Sequence, residues 1–581
     1  MRRRDEGSAL IMVLGSMTVL MLFVSVALSY AMRTAHTAAH ATGWNQAFSA
    51  AEAGVDDYVA RLNRDDVYWR TTDCTNLALR APHAGASPPC GWGSATAVGW
   101  LSVPASPGVQ FHYDVDVTST TVDGTIDLTS TGRSGGVTRT IEVTLRRGGF
   151  GEFLYSTVYE TKDPADYANP VVAMDQCAHY SWEPRTSVSK PRNPDPAVCQ
   201  DISFGGGDKL NGPIHSNDGI LISDDASRHG PWFQGTVTTS MPSCQPVNGV
   251  LRPATSCYRA SGTVHPRFDK GIAYRSEIEM PESIGDLRQY VTTSARVPHP
   301  GCLYTGPTRI VFNPTVGNAT PTMKVWSRWS RATLNPGCGD AAGPWPQILD
   351  VPQNNLIMVQ DVPSSQSTPA SGSCTAGSID ASGSLTSPVT GTFPQAGDYN
   401  QTLGEANCRY GTALVEGTLK GRLTISADNN IVITGDLTYQ GGENGTDALG
   451  LVAENSVQVY HPVTSVCTTK NKRTTCVPGG NMNRPSGTTF LNPQIYGSIL
   501  TLQHSFEVQQ YDVGNGLGTL KLFGSLAQRF RGIVKSGSSG YLKDYNYDSR
   551  LRYAPPPYFL DPVRSAWGMK TFGEVAPRYG G

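Results

Sequence analysis

The chain has little charge for its length and no surplus of the basic sign: 46 Lys+Arg stand against 48 Asp+Glu in 581 residues, and charged residues make up only 16%. That balance removes the bulk attraction on which sequence-independent nucleic-acid binding depends, so no nucleic acid is expected as a partner. Several chemical signatures are missing too. There is no phosphate-cradling P-loop, no His-Glu-x-x-His helix and no Cys-x-x-Cys pair. Each absence removes a class: P-loop nucleotide chemistry, zincin chemistry and close-spaced zinc ligation. No metal and no cofactor are expected. Finally, no cysteine precedes Cys74 and no proline precedes Pro82, so nothing breaks a helix in the first sixty residues.

Those sixty residues organise the rest. A basic leader with Arg2, Arg3 and Arg4 ends at Gly7, and an uncharged, mostly apolar run occupies 8–32, with Leu10, Ile11, Val13, Leu14, Val19, Leu20, Leu22, Phe23 and Val24 in its centre. As a helix this run is roughly 37 Å long at about 1.5 Å per residue, enough for a hydrocarbon core of roughly 30 Å. The first charge beyond it is Arg33, so the positive-inside rule puts the leader in the cytoplasm and the bulk of the chain outside. Helical periodicity continues past the span: Phe48, Ala51, Val55, Tyr58, Val59 and Leu62 recur at three- and four-residue steps. A cleavable secretory signal, cut near Ala27-Leu-Ser-Tyr-Ala31, and a plain signal anchor both fit the leader and the apolar run. Neither accounts for the apolar periodicity beyond them.

The leader ending in Gly7, the apolar helix starting at Ser8, and Ala47-Phe-Ser-Ala-Ala-Glu-Ala-Gly54 at its outer end together resemble the PilX-type minor pilins and related large pseudopilins. The resemblance covers about residues 1–65, and the Ala-Phe-x-Ala-Ala-Glu-Ala stretch is its specific part. It implies cleavage between Gly7 and Ser8 by a prepilin peptidase, residence in the lipid bilayer before assembly, and packing of the apolar helix against other pilins in a type IV pilus-like filament. One departure stands out. Major pilins carry glutamate at the fifth mature position, where this chain has Met12. A carboxylate in an apolar seam is costly unless paired, so its absence suits a tip or minor position.

Beyond the helix the pattern is that of turn-rich extracellular β structure, with 62 Gly and 40 Pro. Three segments of period-two alternation, starting at Phe111, Thr125 and Thr138 and separated by Asp123-Gly124 and Gly135-Gly136, read as an antiparallel meander. Its apolar face needs cover, which the outer helix can supply through Phe48, Ala51, Val55, Tyr58 and Leu62. From Phe150 on, strands of three to five residues are broken by Gly, Asn or Asp. Such punctuation suits an irregular parallel β-helix, with an antiparallel sandwich as the alternative.

The expected fold is therefore α+β and mainly β. Its parts are a leader at 1–7, a helix at 8–65, a meander at 66–148 and a β-rich ectodomain at 149–540. Within the last, the β-helix would occupy about 200–225 and 410–535, with a Cys- and Pro-rich insertion at 226–408; an aromatic and proline-rich cap follows at 541–581. Twelve cysteines in an oxidising compartment read as disulfides, paired with near neighbours: Cys74, Cys90, Cys177, Cys199, Cys244, Cys257, Cys302, Cys338, Cys374, Cys408, Cys467 and Cys476.

No residue qualifies as catalytic. Asp224, Asp225 and Asp428 read as turn acids. Asp544-x-Asn546-x-Asp548 lacks the glycine and glutamate of a calcium loop, Ser549 and Pro555 standing there instead, while His215 and His461 read as corner residues. The functional expectation is a membrane-anchored, non-enzymatic filament subunit that assembles or adheres, its surface ligand unknown. A β-helix enzyme acting on polysaccharide is the alternative.

Overall fold

A computed structural model describes residues 6–65, 68–85, 87–118, 120, 125–183, 199–260, 262–292, 299–317, 319–330, 335–341, 343–366, 397–399, 409–483, 490–563 and 567–579. It shows a long N-terminal apolar helix followed by a mostly β-rich remainder. The chain divides into two compact units, one made of Met1–Arg147 with Ala566–Gly581 and the other of Gly148–Ser565.

In the first unit, helix α1 runs without interruption over Glu6–Arg64, as the absence of proline allows. Strands β1 (Leu101–Ser102), β2 (Gln110–Asp116), β3 (Thr125–Ser134) and β4 (Val137–Arg147) pair antiparallel in chain order. Gly135 and Gly136 form the β3–β4 turn with φ of +55° and +80°, a left-handed pair that glycine adopts without strain. The Asp123-Gly124 turn lies outside the described residues. The sheet has a further member: Trp567–Val575 pairs antiparallel with β4. The C-terminal tail expected as a cap is, in this part, an edge strand of the first unit. Its alternation is broken by a register shift between Met569 and Thr571, which hides the period of two.

The second unit is built on parallel ladders. On one face a single apolar row passes from strand to strand in register: Cys302, Ile357, Ile425, Leu451, Ile499, Leu526, Tyr155, Ile214, Val237, Ile272. A second row stacks Ile310, Val415, Ile433, Val459 and Val508. A third stacks Leu437, Ile495, Leu522, Tyr545, Leu210, Phe233 and Phe268. The three rows meet in one hydrophobic core. At a corner, Asn455 Nδ2 donates to Asn429 Oδ1 at 2.6 Å and the Ser456 amide to Asn430 Oδ1 at 3.0 Å, so side chains satisfy the turn between rungs.

Two expectations need correction here. Segment 226–408 is not an insertion set apart from the ladders: Val237–Thr239, Ile272–Tyr274, Cys302–Thr305, Thr308–Phe312 and Asn355–Gln360 are rungs of them. Loops of unequal length between the rungs conceal the repeat. Likewise Ser539–Tyr547 is a parallel rung beside Gly516–Phe530, and Tyr541 and Tyr545 point into the core instead of over an open end.

The order of rungs has a consequence. The chain enters mid-ladder at Tyr155–Tyr159, steps outward to Ile272–Tyr274, and resumes at Cys302–Thr305 at the opposite end of the row. Ten rungs about 4.8 Å apart set those ends roughly 43 Å from each other. The linking segment, 275–301, spends its apolar residues on the way. Met280, Ile284, Leu287 and Val291 are buried in one cluster with the outward side chains Val158, Leu356, Met358, Val452, Leu500 and Ala527. Polar ties hold it as well. The Ile284 amide donates to Glu454 at 2.8 Å and Arg288 to Asp428 at 3.1 Å, while the Asn217 side chain donates to the Ile278 carbonyl at 2.9 Å.

Among the described residues, five disulfides join sequence neighbours: Cys74–Cys90, Cys177–Cys199, Cys244–Cys257, Cys302–Cys338 and Cys467–Cys476. Cys374 and Cys408 lie outside the described residues.

Candidate functional site: the N-terminal helix

Helix α1 has two halves with opposite surroundings. Leu10, Ile11, Val13, Leu14, Val19, Leu20, Leu22, Phe23 and Val24 are each 52–72% exposed, an apolar surface that no described residue of its own unit covers. By length and composition this half can cross a membrane. Gly7 and Ser8 lie at the helix's start, in its first turn.

From Gly43 on, the helix packs against its sheet. Ala47, Ala50, Ala51, Val55, Tyr58 and Leu62 are buried, the last four beside Phe111, Tyr113, Ile126, Leu128 and Ile141; Phe48 is half-buried, edge-on to Phe572 at 6.1 Å. The small residues explain the approach. A Cβ on Gly132 of β3 would lie 2.0 Å from the Ala47 carbonyl oxygen and 2.4 Å from the Ala51 nitrogen, and one on Gly54 would lie 2.2 Å from Ser130 Oγ. Ser130 Oγ donates to the Ala51 carbonyl at 2.7 Å, so helix and strand backbones nearly touch. The Ala47–Gly54 stretch is thus a smooth seat against β3, which gives its composition a physical cause.

Below that seat lies a polar knot. The Tyr113 hydroxyl donates to Asp57 at 2.9 Å, Arg61 donates to Asp57 at 2.8 Å, and Asn76 donates to Tyr113 at 2.5 Å. Burial, then the Asp57 charge, pushes the Tyr113 hydroxyl well above its ordinary value, so it stays a neutral donor. Nothing in the motif announced this knot, because its members come from three separate elements.

The other residues singled out in the sequence are taken up locally. Asp224 accepts from His265 at 2.6 Å, Asp225 accepts the Ser227 and His229 amides, and Asp428 accepts from Arg288. Asp544 accepts from Asn546 at 3.0 Å, while Asp548 caps a turn and pairs with Arg550. His215 is buried between Thr238 and Asn217, and burial lowers it to about 4.

One acidic group escaped sequence reading. Asp163 accepts from His504 at 2.8 Å, and Asp166 is pushed up to about 6, first by burial and then by Asp163. Burial opposes the charged form of His504, yet its hydrogen bond to Asp163 leaves it above its ordinary value. Asp163 and His504 are far apart in sequence, so no local motif marks them. Among the described residues no group of three or more His, Cys, Asp or Glu side chains is placed to hold a metal ion.

No protein-family model and no curated protein matches the chain. Among solved structures, the crystal structure of the competence-associated pilin ComZ from Thermus thermophilus is similar at a TM-score of 0.23 and 14% identity, over 92% of this chain and 98% of that one. A likeness at that level adds nothing to the geometry above.

Proposed function

We propose that this chain is a minor pilin or pseudopilin, a structural subunit for assembly or adhesion in a type IV pilus-like filament. One observation carries the reading: a single helix whose outer half is seated on a small antiparallel sheet by the Ala47–Gly54 stretch, and whose other half offers a bare apolar surface. A surface of that kind needs lipid before assembly and other apolar helices after it. On this reading a prepilin peptidase cuts between Gly7 and Ser8, the N-terminus faces the cytoplasm, and the β-rich unit stands outside. Met12 at the fifth mature position and the size of the second unit, Gly148–Ser565, favour an end of the filament over its shaft.

The ectodomain is best read as an irregular parallel β-helix, supported by the three in-register apolar rows. No reacting group is assigned within it.

Immunogold labelling of sheared filaments tests the reading. Label confined to filament ends is expected. Label absent from filaments, with all of the protein in the membrane or the medium, would overturn it.

A further inference from the structure

The second unit closes on itself along a seam where its early strands lie beside its late ones. Tyr155 pairs with Leu526, and Lys209 with Asp544. Among the described residues, the disulfides of this unit join near neighbours, the longest, Cys302–Cys338, spanning 36 residues, so none of them crosses the seam. Two ion pairs do cross it: Arg531 with Glu160 at 2.7 Å and Lys543 with Asp208 at 3.2 Å.

The two pairs are furnished differently. Arg531 also donates to the Ser203 carbonyl, and Glu160 also accepts from the Thr157 hydroxyl. Lys543 brings three donors as an ammonium and, among the described residues, meets one acceptor, Asp208 Oδ2. That oxygen takes the Gly205 amide as well, at 3.2 Å. Lys543 alternates with the buried Tyr541 and Tyr545 along Ser539–Tyr547, so its side chain shares their inward face, and it lines an interior gap with Tyr155, Phe204 and Leu210. The Lys543 and Asp208 side chains are 16% and 14% exposed, and the Tyr545 hydroxyl is buried with no hydrogen-bond partner.

An ammonium with one acceptor is costly in such surroundings, whereas a neutral amine beside a neutral carboxyl is not. Burial pushes Lys543 below its ordinary value, and the nearby Arg531 cation adds to that effect against the pull of Asp208. A lysine desolvated beside another cation is a nucleophile, and its electrophile is already in contact. We propose that Lys543 and Asp208 condense to a side-chain amide that staples the early strand to the late one. The ammonium first passes a proton to the Asp208 carboxylate. The Nζ lone pair then forms a bond to Cγ, and the Cγ–Oδ1 bond breaks, Oδ1 leaving as water with that proton and a second one from Nζ. Oδ2, held by the Gly205 N–H, remains as the amide oxygen. Nothing is oxidised or reduced, and no other reactant is consumed. The product needs one acceptor where the ammonium needed three, and it closes a ring over 335 sequence positions, far longer than the disulfide loops. The site lies wholly in the second unit and does not depend on how the chain is anchored.

The test is mass spectrometry of the full chain, purified in detergent micelles and then reduced and alkylated so that no disulfide contributes. Wild-type protein should weigh one water less than its sequence requires, and a tryptic digest should yield a branched peptide joining the segments that hold Asp208 and Lys543. Lys543→Met and Asp208→Ala should each restore the full sequence mass, and both should migrate more slowly than wild type in denaturing gels, because the ring is open. The wild-type measurement stands even where a variant folds poorly. Full sequence mass in the wild type, with Asp208 and Lys543 in separate peptides, would mean an ordinary ion pair and overturn the proposal. A water lost at any other pair of residues would overturn it equally.

Discussion

Gly132→Ala should pry the outer half of α1 from its sheet. The added Cβ would sit 2.0 Å from the Ala47 carbonyl oxygen, 2.4 Å from the Ala51 nitrogen and 2.7 Å from Ala50 Cβ. Two of these neighbours are backbone atoms, which no rotamer change can remove. Overpacking a close contact costs about 1–3 kcal/mol, and more where backbone must shift. Each of Val55, Tyr58 and Leu62 stands to lose part of the roughly 1.5–3 kcal/mol that burying a large apolar side chain contributes. A loss of about 2–4 kcal/mol in the first unit follows, or about 5–12 °C in its unfolding temperature. Gly568→Ala is the matched control, because its Cβ meets nothing within 4 Å and its backbone is not left-handed. Thermal unfolding of both variants, followed by near-ultraviolet circular dichroism in micelles, makes the comparison. Equal melting of Gly132→Ala and wild type would refute the tight seat and, with it, the physical account of the Ala47–Gly54 stretch.

Three other outcomes are expected. Arg531→Met should destabilise the second unit by about 3–5 kcal/mol, since Arg531 and Glu160 pair at 2.7 Å with side chains 3% and 0% exposed and removal strips a buried carboxylate of its paired cation. Adding Glu160→Gln should recover most of the loss in urea unfolding, and no recovery would argue against the pair. Asp166, raised from 3.8 to about 6, favours the protonated form in the fold; its contribution is full below pH 3.8 and is lost as pH rises through about 6. Asp166→Asn should therefore gain up to about 3 kcal/mol at pH 7 and nothing near pH 3.5, and equal gains at both would contradict the assignment. Leu287→Ala should cost about 2–4 kcal/mol and open 275–301 to protease, because this side chain helps cover the ladder's outer face. Unchanged proteolysis would mean that the segment is held by its polar ties alone.

The helix and the meander were legible because each carries its period in consecutive residues: Phe48 to Leu62 at helical steps, and Phe111 onward at steps of two. Neighbour-paired cysteines were legible for a related reason, a short loop being closed locally. The ladders were only half legible. Ile357 and Ile425 sit one above the other, yet loops of unequal length separate such partners, so no fixed repeat shows in the chain. Tyr155 against Leu526, with Arg531 on Glu160, is the extreme case: the pairing joins distant parts of the sequence and no local signal announces it. The same holds for Trp567–Val575 on β4, where a register shift breaks the alternation. At the helix, Ala47–Gly54 was visible as a motif. That its small side chains face Gly132 and Ser130 needed the fold, since nothing in β3 alone says which glycine a helix will meet.

On the function proposed above, α1 is cut between Gly7 and Ser8 before it enters a filament. Amino-terminal sequencing of the mature protein, from cells expressing their own prepilin peptidase, reads that cut. A first residue of Ser8 is expected, with the apolar run intact behind it. A mature chain that begins near Met32, or one that keeps the leader from Met1, would rule the proposal out.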